Sequence, residues 1–227
     1  MKYISIAIDG PSGAGKSTIS KAVAKKLGYL YVDTGAIYRT VGVFVRKKGV
    51  DPCDAEGVSA LLPQIQIEMR HTDGAQRMYL NGEDVTETIR EHEISRYASD
   101  VSAIPAVRAF LLEMQRKFAQ TNHVIMDGRD IGTVVLPNAT VKIFLSATVE
   151  DRARRRFLEL QAKGNDISYE QVLADMKRRD ENDSARAIAP LKAADDAVLL
   201  DTTGFELEQS IAAISELIEK RVTNVAL

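Results

Sequence analysis

Several residue types are scarce in this chain, and each scarcity argues against a class of protein. Cys53 is the single cysteine among 227 residues, so no disulfide can form within the chain. Three scattered histidines do not complete a four-ligand zinc site with it. No apolar run is long enough to span a membrane, and the short apolar stretch near the N-terminus is not a signal peptide. We therefore expect a cytoplasmic protein without a membrane partner.

The chain also lacks a large excess of either positive or negative charge. The chain has 30 Lys and Arg against 32 Asp and Glu, which gives a net charge of −2. Without a long basic stripe, nucleic acid is not an expected partner. Apolar residues make up 45% and charged residues 27%, the balance of an ordinary globular protein. The length predicts one domain or one domain with an insertion, and nothing in the sequence suggests obligate assembly, so we expect a monomer.

The strongest pattern present is a glycine-rich loop at residues 10–17, which fits G-x-x-x-x-G-K-[ST] without a gap. An apolar strand candidate at residues 4–8 precedes it and a segment of helical composition follows. In this context the backbone N–H groups surround phosphates, Lys16 adds positive charge, and the Ser17 hydroxyl can ligate Mg²⁺. The alternative is a purely structural turn. The predicted ATP-binding residues are Gly10, Pro11, Ser12, Gly13, Ala14, Gly15, Lys16, Ser17 and Thr18.

Apolar runs alternate with helical patterns along the chain, which predicts an α/β fold with a parallel sheet flanked by helices. The predicted strands are residues 3–8, 29–32, 124–126, 141–145 and 197–200. The predicted helices are residues 16–27, 36–48, 149–162, 169–179 and 206–221.

Residues 64–93 break this alternation. Polar and apolar residues alternate at 65–69, and a second short strand candidate at 77–80 ends at the turn signal Asn81-Gly82. The simplest interpretation is a small antiparallel element inserted into the parallel domain. Helices are then predicted at residues 90–97 and 106–120, the latter with Pro105 at its first turn.

Two clusters of polar residues directly follow predicted strands. Asp127-Gly128-Arg129-Asp130 follows an apolar strand, where an acid such as Asp127 can hold Mg²⁺, directly or through water. Residues 33–39 follow the second strand, and Arg39 could grip a phosphate with two hydrogen bonds. The alternatives are a surface turn for the first cluster and a capped helix with a solvated arginine for the second.

Residues 150–186 are too rich in charge to be core. Arg152, Arg155 and Arg156 share one helical face by their spacing. For most of these residues a solvated helical hairpin with ion pairs is sufficient explanation. A protein that handles polyphosphate, however, needs arginines that neutralise a transferring phosphoryl group, and a charged helical lid would supply them.

Four segments together resemble the nucleoside monophosphate kinases and, more narrowly, the bacterial cytidylate kinase, or (d)CMP kinase, family of P-loop proteins. The resemblance covers nearly the whole chain and is carried by residues 9–18, 33–39, 127–135 and 178–191. It implies a P-loop NTPase-type parallel sheet in a single domain, 1–227. Its core is then about 1–62, 98–150 and 190–227, with a monophosphate-binding insertion at about 63–97 and a lid at about 150–187.

The resemblance also implies ATP:(d)CMP phosphotransfer with Mg²⁺, giving ADP and CDP or dCDP. The implied catalytic residues are Lys16, Arg129, Arg186, Arg156 and Arg152. The implied CMP-binding residues are Thr34, Arg39, Ser99, Arg108, Arg129, Asp130, Arg179 and Asp183. For Mg²⁺ they are Ser17 and, through water, Asp127. Asp130 and Ser99 would contact cytosine, and because cytosine presents an amino donor where uracil presents a carbonyl, a carboxylate favours cytosine.

Three alternatives remain at this point. The first is a kinase for another small acceptor, such as UMP, AMP or a metabolite hydroxyl, of which the last would need a catalytic base. The second is a nucleotide-driven switch or motor, although the Asn-Lys-x-Asp guanine motif is absent from the sequence. The third is a catalytically idle nucleotide-binding module, against which the intact Lys16, Ser17 and arginines argue.

Overall fold

A computed structural model describes residues 3–72 and 75–225. They form two compact units, of which one comprises the chain up to Tyr31 and from Ala119 onward, and the other comprises Val32–Phe118. Within the described ranges, no helix has both the length and the hydropathy that crossing a membrane requires.

The helices and strands have the following bounds. The strands are β1 (Ser5–Asp9), β2 (Leu30–Asp33), β3 (Ile67–Thr72), β4 (Ala75–Leu80), β5 (Glu83–Asp84), β6 (Val124–Gly128), β7 (Val141–Ser146) and β8 (Val198–Asp201). The α-helices are α1 (Lys16–Leu27), α2 (Thr34–Lys47), α3 (Ala55–Leu61), α4 (His92–Val101), α5 (Pro105–Thr121), α6 (Val149–Ala162), α7 (Tyr169–Ser184) and α8 (Leu207–Val225). Short 3-10 helices occupy Leu62–Gln64 and Thr88–Arg90, and a π-helical turn occupies Ile131–Val135.

The main sheet has five strands in the order β2-β6-β1-β7-β8. Its central strand β1 pairs in parallel with β6 and β7, and β7 pairs in parallel with β8. Ile6, Ala7 and Ile8 are fully buried, which explains why this strand is a continuous apolar run rather than an alternating one. The predicted α/β fold with a parallel sheet is confirmed. Because β1 and β6 are parallel neighbours, the loops that follow them leave the sheet at the same edge.

Helices α1 and α8 pack beside this sheet in the first unit. Apolar side chains of α1 and α8 join those of β1, β6 and β7 in one core, in which Ile19, Val23 and Ile214 are almost completely buried. The bounds of α1 agree with the prediction, and the helix ends at Gly28, whose φ of 68° closes it in the left-handed region. The predicted phosphate loop therefore lies between a buried strand and a packed helix.

Helices α6 and α7 form a hairpin with a small core of its own, which includes Ala153, Leu160 and Val172. Helix α7 begins at a capping box in which Ser168 and Gln171 bond reciprocally. It runs to Ser184, beyond the predicted end at residue 179. The sequence after 179 is charged and lacks apolar periodicity, so the pattern gave no sign of this extension.

The second unit contains the predicted antiparallel element. Strands β3, β4 and β5 form a three-stranded antiparallel sheet, and Asn81 and Gly82 make the turn after β4 with φ of 50° and 84°. Helix α2 packs so closely on α4 that a Cβ added at Gly42 would lie 3.1 Å from the Tyr97 Cβ. Helix α3, capped by the Asp54 carboxylate at the Gly57 N–H, was not predicted from the sequence.

Candidate nucleotide-binding site

The glycines of the loop between β1 and α1 are required by its geometry. Gly10 has φ of 150°, and a Cβ there would lie 1.9 Å from the Leu145 carbonyl oxygen. Gly13 and Gly15 have φ of 75° and 83°, in the left-handed region that glycine enters at little cost. The left-handed residue Gly15 leads directly into α1, so the loop and the helix N-terminus form one surface rich in backbone N–H groups.

Lys16 is buried although it carries an ionisable amine, with 5% of its surface exposed. Its Nζ donates to the Pro11 carbonyl oxygen at 2.7 Å, so the side chain folds back over the loop. Burial lowers the pKa of this amine well below its ordinary value, and the positive charges of Arg129 and Arg179 lower it further against the opposing charge of Asp127. Three like charges gathered in this way favour the binding of an anion, which would offset their mutual repulsion.

Ser17 and Asp127 form the pair of oxygen groups that the sequence predicted for Mg²⁺. The Ser17 hydroxyl donates to the Asp127 Oδ2 at 2.8 Å, and the Tyr31 hydroxyl donates to Oδ1 at 3.0 Å. Both carboxylate oxygens are thus held in place, and Asp127 is buried, with 3% exposure. Hydroxyl and carboxylate oxygens are ligands that Mg²⁺ accepts, so this pair fits the ion.

Arg129, Asp183 and Arg186 form a buried ionic cluster. The Arg129 Nε donates to the Asp183 Oδ2 at 2.8 Å, and the Arg186 guanidinium donates to the other carboxylate oxygen. Burial opposes ionisation of Asp183, but the charges of Arg129 and Arg186 outweigh it and hold the pKa of this carboxyl below its ordinary value. Burial likewise opposes the charge of Arg129, but Asp183 raises its pKa, so the cluster stays ionised at neutral pH.

Asp130 lies at the start of the π-helical turn and is buried, with 4% exposure. Its carbonyl oxygen accepts from the N–H groups of Val134 and Val135. The next two N–H groups, of Ile131 and Gly132, donate to the carboxylate of Asp9 at 2.8 and 2.7 Å. Burial raises the pKa of Asp9 to about 6, and these two bonds limit the rise.

The three arginines on the shared face of α6 have different partners. Arg152 is buried and donates to the carbonyl oxygens of Ala147 and Ser12, both at 2.8 Å, and its Nη2 lies 2.7 Å from Asp180. Through Ser12 it is joined to the phosphate loop. Arg155 donates to the Thr202 carbonyl oxygen, whereas Arg156 pairs with Glu159 at 2.8 Å on its own helix. Of the two α6 arginines implied to be catalytic, Arg152 therefore contacts the loop and Arg156 lies in a local ion pair.

In the second unit, Asp33 organises the start of α2. Its side chain caps the helix by accepting from the Ala36 N–H at 2.9 Å. The Nη1 atoms of Arg39 and Arg90 lie 3.6 and 3.8 Å from the Asp33 Oδ2. Within residues 3–72 and 75–225, the buried Nη1 of Arg39 has no hydrogen-bond partner. A buried guanidinium donor without an acceptor is suited to a phosphate oxygen. Thr34, the first residue of α2, is buried as well.

Ser99 and Arg108 are brought together in the same unit. Arg108 is buried and donates to the Ser102 carbonyl oxygen at 3.1 Å, and the Ser102 hydroxyl donates to the Ser99 carbonyl oxygen at 2.7 Å. The Arg108 guanidinium also lies 5.6 Å from the centre of the Tyr38 ring. The buried Ser99 hydroxyl has no hydrogen-bond partner among the residues that the structure describes.

Comparison with known proteins decides the family. The model of the family described as cytidylate kinase matches residues 6–220 of the chain. The chain belongs to the cytidylate kinase family. It is thus an enzyme of the transferase class, as the four segments in the sequence suggested.

Relatives within the cytidylate kinase family match over nearly the full length. A cytidylate kinase of Caldicellulosiruptor bescii is 53% identical over 224 residues, which is 99% of each chain. A cytidylate kinase of Carboxydothermus hydrogenoformans is 49% identical over 216 residues, or 95% of this chain and 97% of that one. A crystal structure of an uncharacterized protein from Eubacterium ventriosum has the same fold, with a TM-score of 0.54 at 12% identity, and covers 96% of this chain and 99% of that one.

Three residues near this site were not selected from the sequence. Asp9 ends an apolar strand just as Asp127 does, so the same signal could have identified it. Arg155 was predicted to share a helical face with Arg152 and Arg156, and the spacing alone did not show that the three arginines have different partners. Tyr31 gave no signal, because a tyrosine at the end of a short strand is most often a packing residue.

Proposed function

We propose that this member of the cytidylate kinase family transfers the γ-phosphoryl group of Mg·ATP to CMP or dCMP, giving ADP and CDP or dCDP. The observation that carries the proposal is the convergence of positive charge around the phosphate loop. Lys16 is buried there within the electrostatic reach of Arg129 and Arg179, and its pKa is lowered first by burial and further by these two positive charges. This arrangement favours a polyanion, and transient negative charge on a transferring phosphoryl group is what such cations stabilise.

In the proposed reaction an oxygen of the CMP phosphate bonds to the γ-phosphorus of ATP, and the bond from that phosphorus to the β–γ bridging oxygen breaks. ADP leaves with the bond's electron pair. Because the acceptor oxygen is already anionic, the step needs no strong general base. The chain's contribution is alignment, charge neutralisation and exclusion of water. Lys16, Arg129, Arg152, Arg156 and Arg186 are proposed to supply the positive charge.

Magnesium is proposed as the accompanying ion. The hydroxyl of Ser17 would ligate it directly and the carboxylate of Asp127 through a water. When bound, Mg²⁺ neutralises charge on the β- and γ-phosphates of the nucleotide. The 2.8 Å hydrogen bond between these two side chains and the additional bond from Tyr31 support the assignment, because they hold the oxygen groups in one place without the ion.

For the acceptor, we propose that Arg39 and Arg129 bind the CMP phosphate, with Thr34 nearby. Asp130 and Ser99 are proposed to contact the cytosine, with Arg108 near them. Asp183, supported by Arg179, is proposed to contact the ribose. The Arg39 Nη1 and the Ser99 hydroxyl, which find no hydrogen-bond partner in the described part of the chain, support two of these roles, since both are buried polar groups whose hydrogen bonding a ligand could complete. The remaining roles rest on the family resemblance.

The family division into a core (about 1–62, 98–150 and 190–227), a monophosphate-binding insertion (63–97) and a lid (150–187) is proposed for this chain. The lid would be the α6–α7 hairpin, whose separate small core supports its treatment as one element.

We also propose that the protein acts as a monomer in the cytoplasm, where its nucleotide substrates occur, without nucleic-acid partners. The exposed thiol of Cys53 is compatible with that compartment.

The substrate assignment is tested by an acceptor panel. ADP formation is measured with CMP, dCMP, UMP and AMP for the wild type and for Asp130→Ala. We expect CMP or dCMP to be the best acceptor, and we expect Asp130→Ala to lower kcat/KM for CMP by about 10- to 100-fold, the loss typical of one charged hydrogen bond. UMP should be affected less. A wild type that prefers AMP or a hydroxyl acceptor would contradict the proposed function, and an Asp130→Ala variant with unchanged CMP selectivity would contradict the role of Asp130.

A further inference from the structure

The segment that carries Arg129 and Asp130 is short and is fixed at both ends. Its first end is the sheet, because Gly128 is the last residue of β6 and pairs in register with Asp9 of β1. Its second end is the pair of N–H groups of Ile131 and Gly132, which donate to the Asp9 carboxylate. Only Arg129 and Asp130 lie between these two fixed points.

Asp9 therefore holds both ends of this segment, one through the strand pairing of its backbone and the other through its side chain. The two carboxylate oxygens each accept one N–H, at 2.8 and 2.7 Å, and the side chain is buried with 4% exposure. A carboxylate held by two backbone donors has little freedom to rotate. In the other direction along the chain, Asp9 is followed by Gly10, the first glycine of the phosphate loop.

Gly132 is suited to this contact. A Cβ added there would lie 3.3 Å from the Asp9 Oδ2 and 3.2 Å from the Lys142 Cδ. These distances are tighter than most Cβ contacts, so only glycine allows the N–H of residue 132 to approach Asp9 without displacing a neighbour. The close approach therefore depends both on Asp9, whose carboxylate accepts the N–H, and on Gly132, which has no Cβ to crowd the contact.

We propose that Asp9 is a positioning residue for acceptor recognition, which sets Arg129 and Asp130 at a fixed place relative to the start of the phosphate loop. This inference rests on the proposed function, because it gives Asp9 the task of placing the residues proposed to contact CMP. Asp9 itself touches no substrate in this account. It acts through the backbone of Ile131 and Gly132.

The carboxylate form is the one required. At pH 7.5 Asp9 is ionised, because its pKa of about 6 lies below that pH, and both oxygens can then accept. The charged groups that act on it are Asp130, which opposes ionisation, and Lys16, which favours it, while Lys142 lies beside Gly132 and pairs with Asp196. In Asp9→Asn one oxygen is replaced by an amide nitrogen, which donates and so opposes one of the two N–H groups.

The test compares Asp9→Asn with Asp54→Asn at pH 7.5. Asp54 is a matched control, because its carboxylate also accepts a backbone N–H, that of Gly57 at 3.0 Å, but serves as the cap of α3. For each variant, KM is measured for ATP and CMP, kcat/KM for CMP and UMP, and the thermal midpoint by circular dichroism.

We expect folded Asp9→Asn to raise KM for CMP at least tenfold and to lower the CMP-to-UMP preference at least tenfold, with KM for ATP changed less than threefold. Asp54→Asn should leave all three quantities within twofold. A merely structural role would lower stability without changing the CMP-to-UMP preference. Unchanged CMP parameters in folded Asp9→Asn, or equal losses for ATP and CMP, would overturn the inference.

Gly132→Ala carries the same test if Asp9→Asn does not fold. It disturbs the contact by a few tenths of an ångström instead of removing it, so we expect the same selective loss for CMP at a smaller size, about three- to tenfold. Full CMP selectivity in Gly132→Ala would then overturn the inference. Failure of the proposed function is seen separately, since it would appear as a wild type that does not phosphorylate CMP.

Discussion

At the scale of single residues, Lys16 combines a cost in stability with a gain in function. Its amine is buried, faces other positive charges, and has a pKa lowered by both. In the protein without nucleotide this is unfavourable, and a bound polyphosphate supplies the missing negative charge. Sites that carry such an imbalance are those at which a substitution can stabilise the fold and abolish the activity.

Lys16→Met tests this balance. Because the substitution removes the charge that faces the transferring phosphoryl group, we expect kcat to fall by at least about 100-fold with every acceptor. Because it also removes a buried, repelled amine, the thermal midpoint should stay the same or rise. Both are measured by ADP formation and thermal unfolding.

Lys26→Met is the control on the same helix. Lys26 forms an exposed ion pair with Glu219, with more than half of both side chains exposed, and such pairs contribute little. Its activity should stay within twofold of the wild type. A Lys16→Met variant that is strongly destabilised, or that keeps most of its activity, would contradict this account of Lys16.

At the scale of elements, the phosphate loop depends on how closely β1 and β7 approach each other. Gly10 has no room for a side chain, because the Leu145 carbonyl oxygen of β7 lies 1.9 Å from the position that a Cβ would take. The glycines of the loop are thus explained partly by phosphate binding and, at Gly10, by the close approach of the neighbouring strand β7.

Gly10→Ala should separate that packing effect from ordinary glycine strain. With a Cβ 1.9 Å from a backbone oxygen, β1 or β7 must move, and we expect the free energy of unfolding to fall by about 3 kcal/mol or more together with loss of ATP binding. Urea denaturation and nucleotide titration measure the two effects.

Gly28→Ala provides the comparison. Gly28 also has a left-handed φ, 68°, but a Cβ there would have no atom within 4 Å. We expect a loss of about 1 kcal/mol from backbone strain alone, with ATP binding retained. Equal destabilisation by the two substitutions would show that glycine is required at position 10 by its backbone conformation and not by the contact with β7.

At the scale of the whole molecule, two buried carboxyls make the stability depend on pH in opposite directions. Asp183 has a lowered pKa, so its contribution to stability is present above its unfolded value and is lost as the pH falls through the folded value. Asp9 has a pKa raised from 3.8 to about 6, so its favourable contribution is present below pH 3.8 and is lost as the pH rises through about 6.

This predicts how the wild type compares with Asp9→Asn as a function of pH. From the difference between 6 and 3.8, 2.2 pKa units at 1.36 kcal/mol each, the free energy of unfolding of the wild type relative to the variant should rise by up to about 3 kcal/mol between pH 7.5 and pH 4. Urea unfolding of both proteins at several pH values checks it. A difference that stays constant with pH would contradict the raised pKa.

The sequence by itself determined the parts of this protein that are local. The alternation of apolar runs and helical segments predicted the parallel sheet, the glycine pattern placed the phosphate loop, and the helices at Lys16–Leu27 and Val149–Ala162 were predicted with their observed bounds. The individual strand and helix segments and the loop depend on neighbours within one turn or one strand, so hydrophobic periodicity and the spacing of the glycines are sufficient to reveal them.

Only the tertiary structure decided which side chains share a partner. Asp9 and Gly132, Tyr31 and Asp127, and Arg129 and Asp183 are each more than 50 residues apart in the chain, with separations of 123, 96 and 54. Their hydrogen bonds follow from strand order and helix packing, which bring distant segments together without leaving a local pattern. Arg152 and Arg156 show the same limit. Their spacing predicts one shared face of α6, but the packing decides that Arg152 donates to Ser12 of the phosphate loop while Arg156 pairs with Glu159.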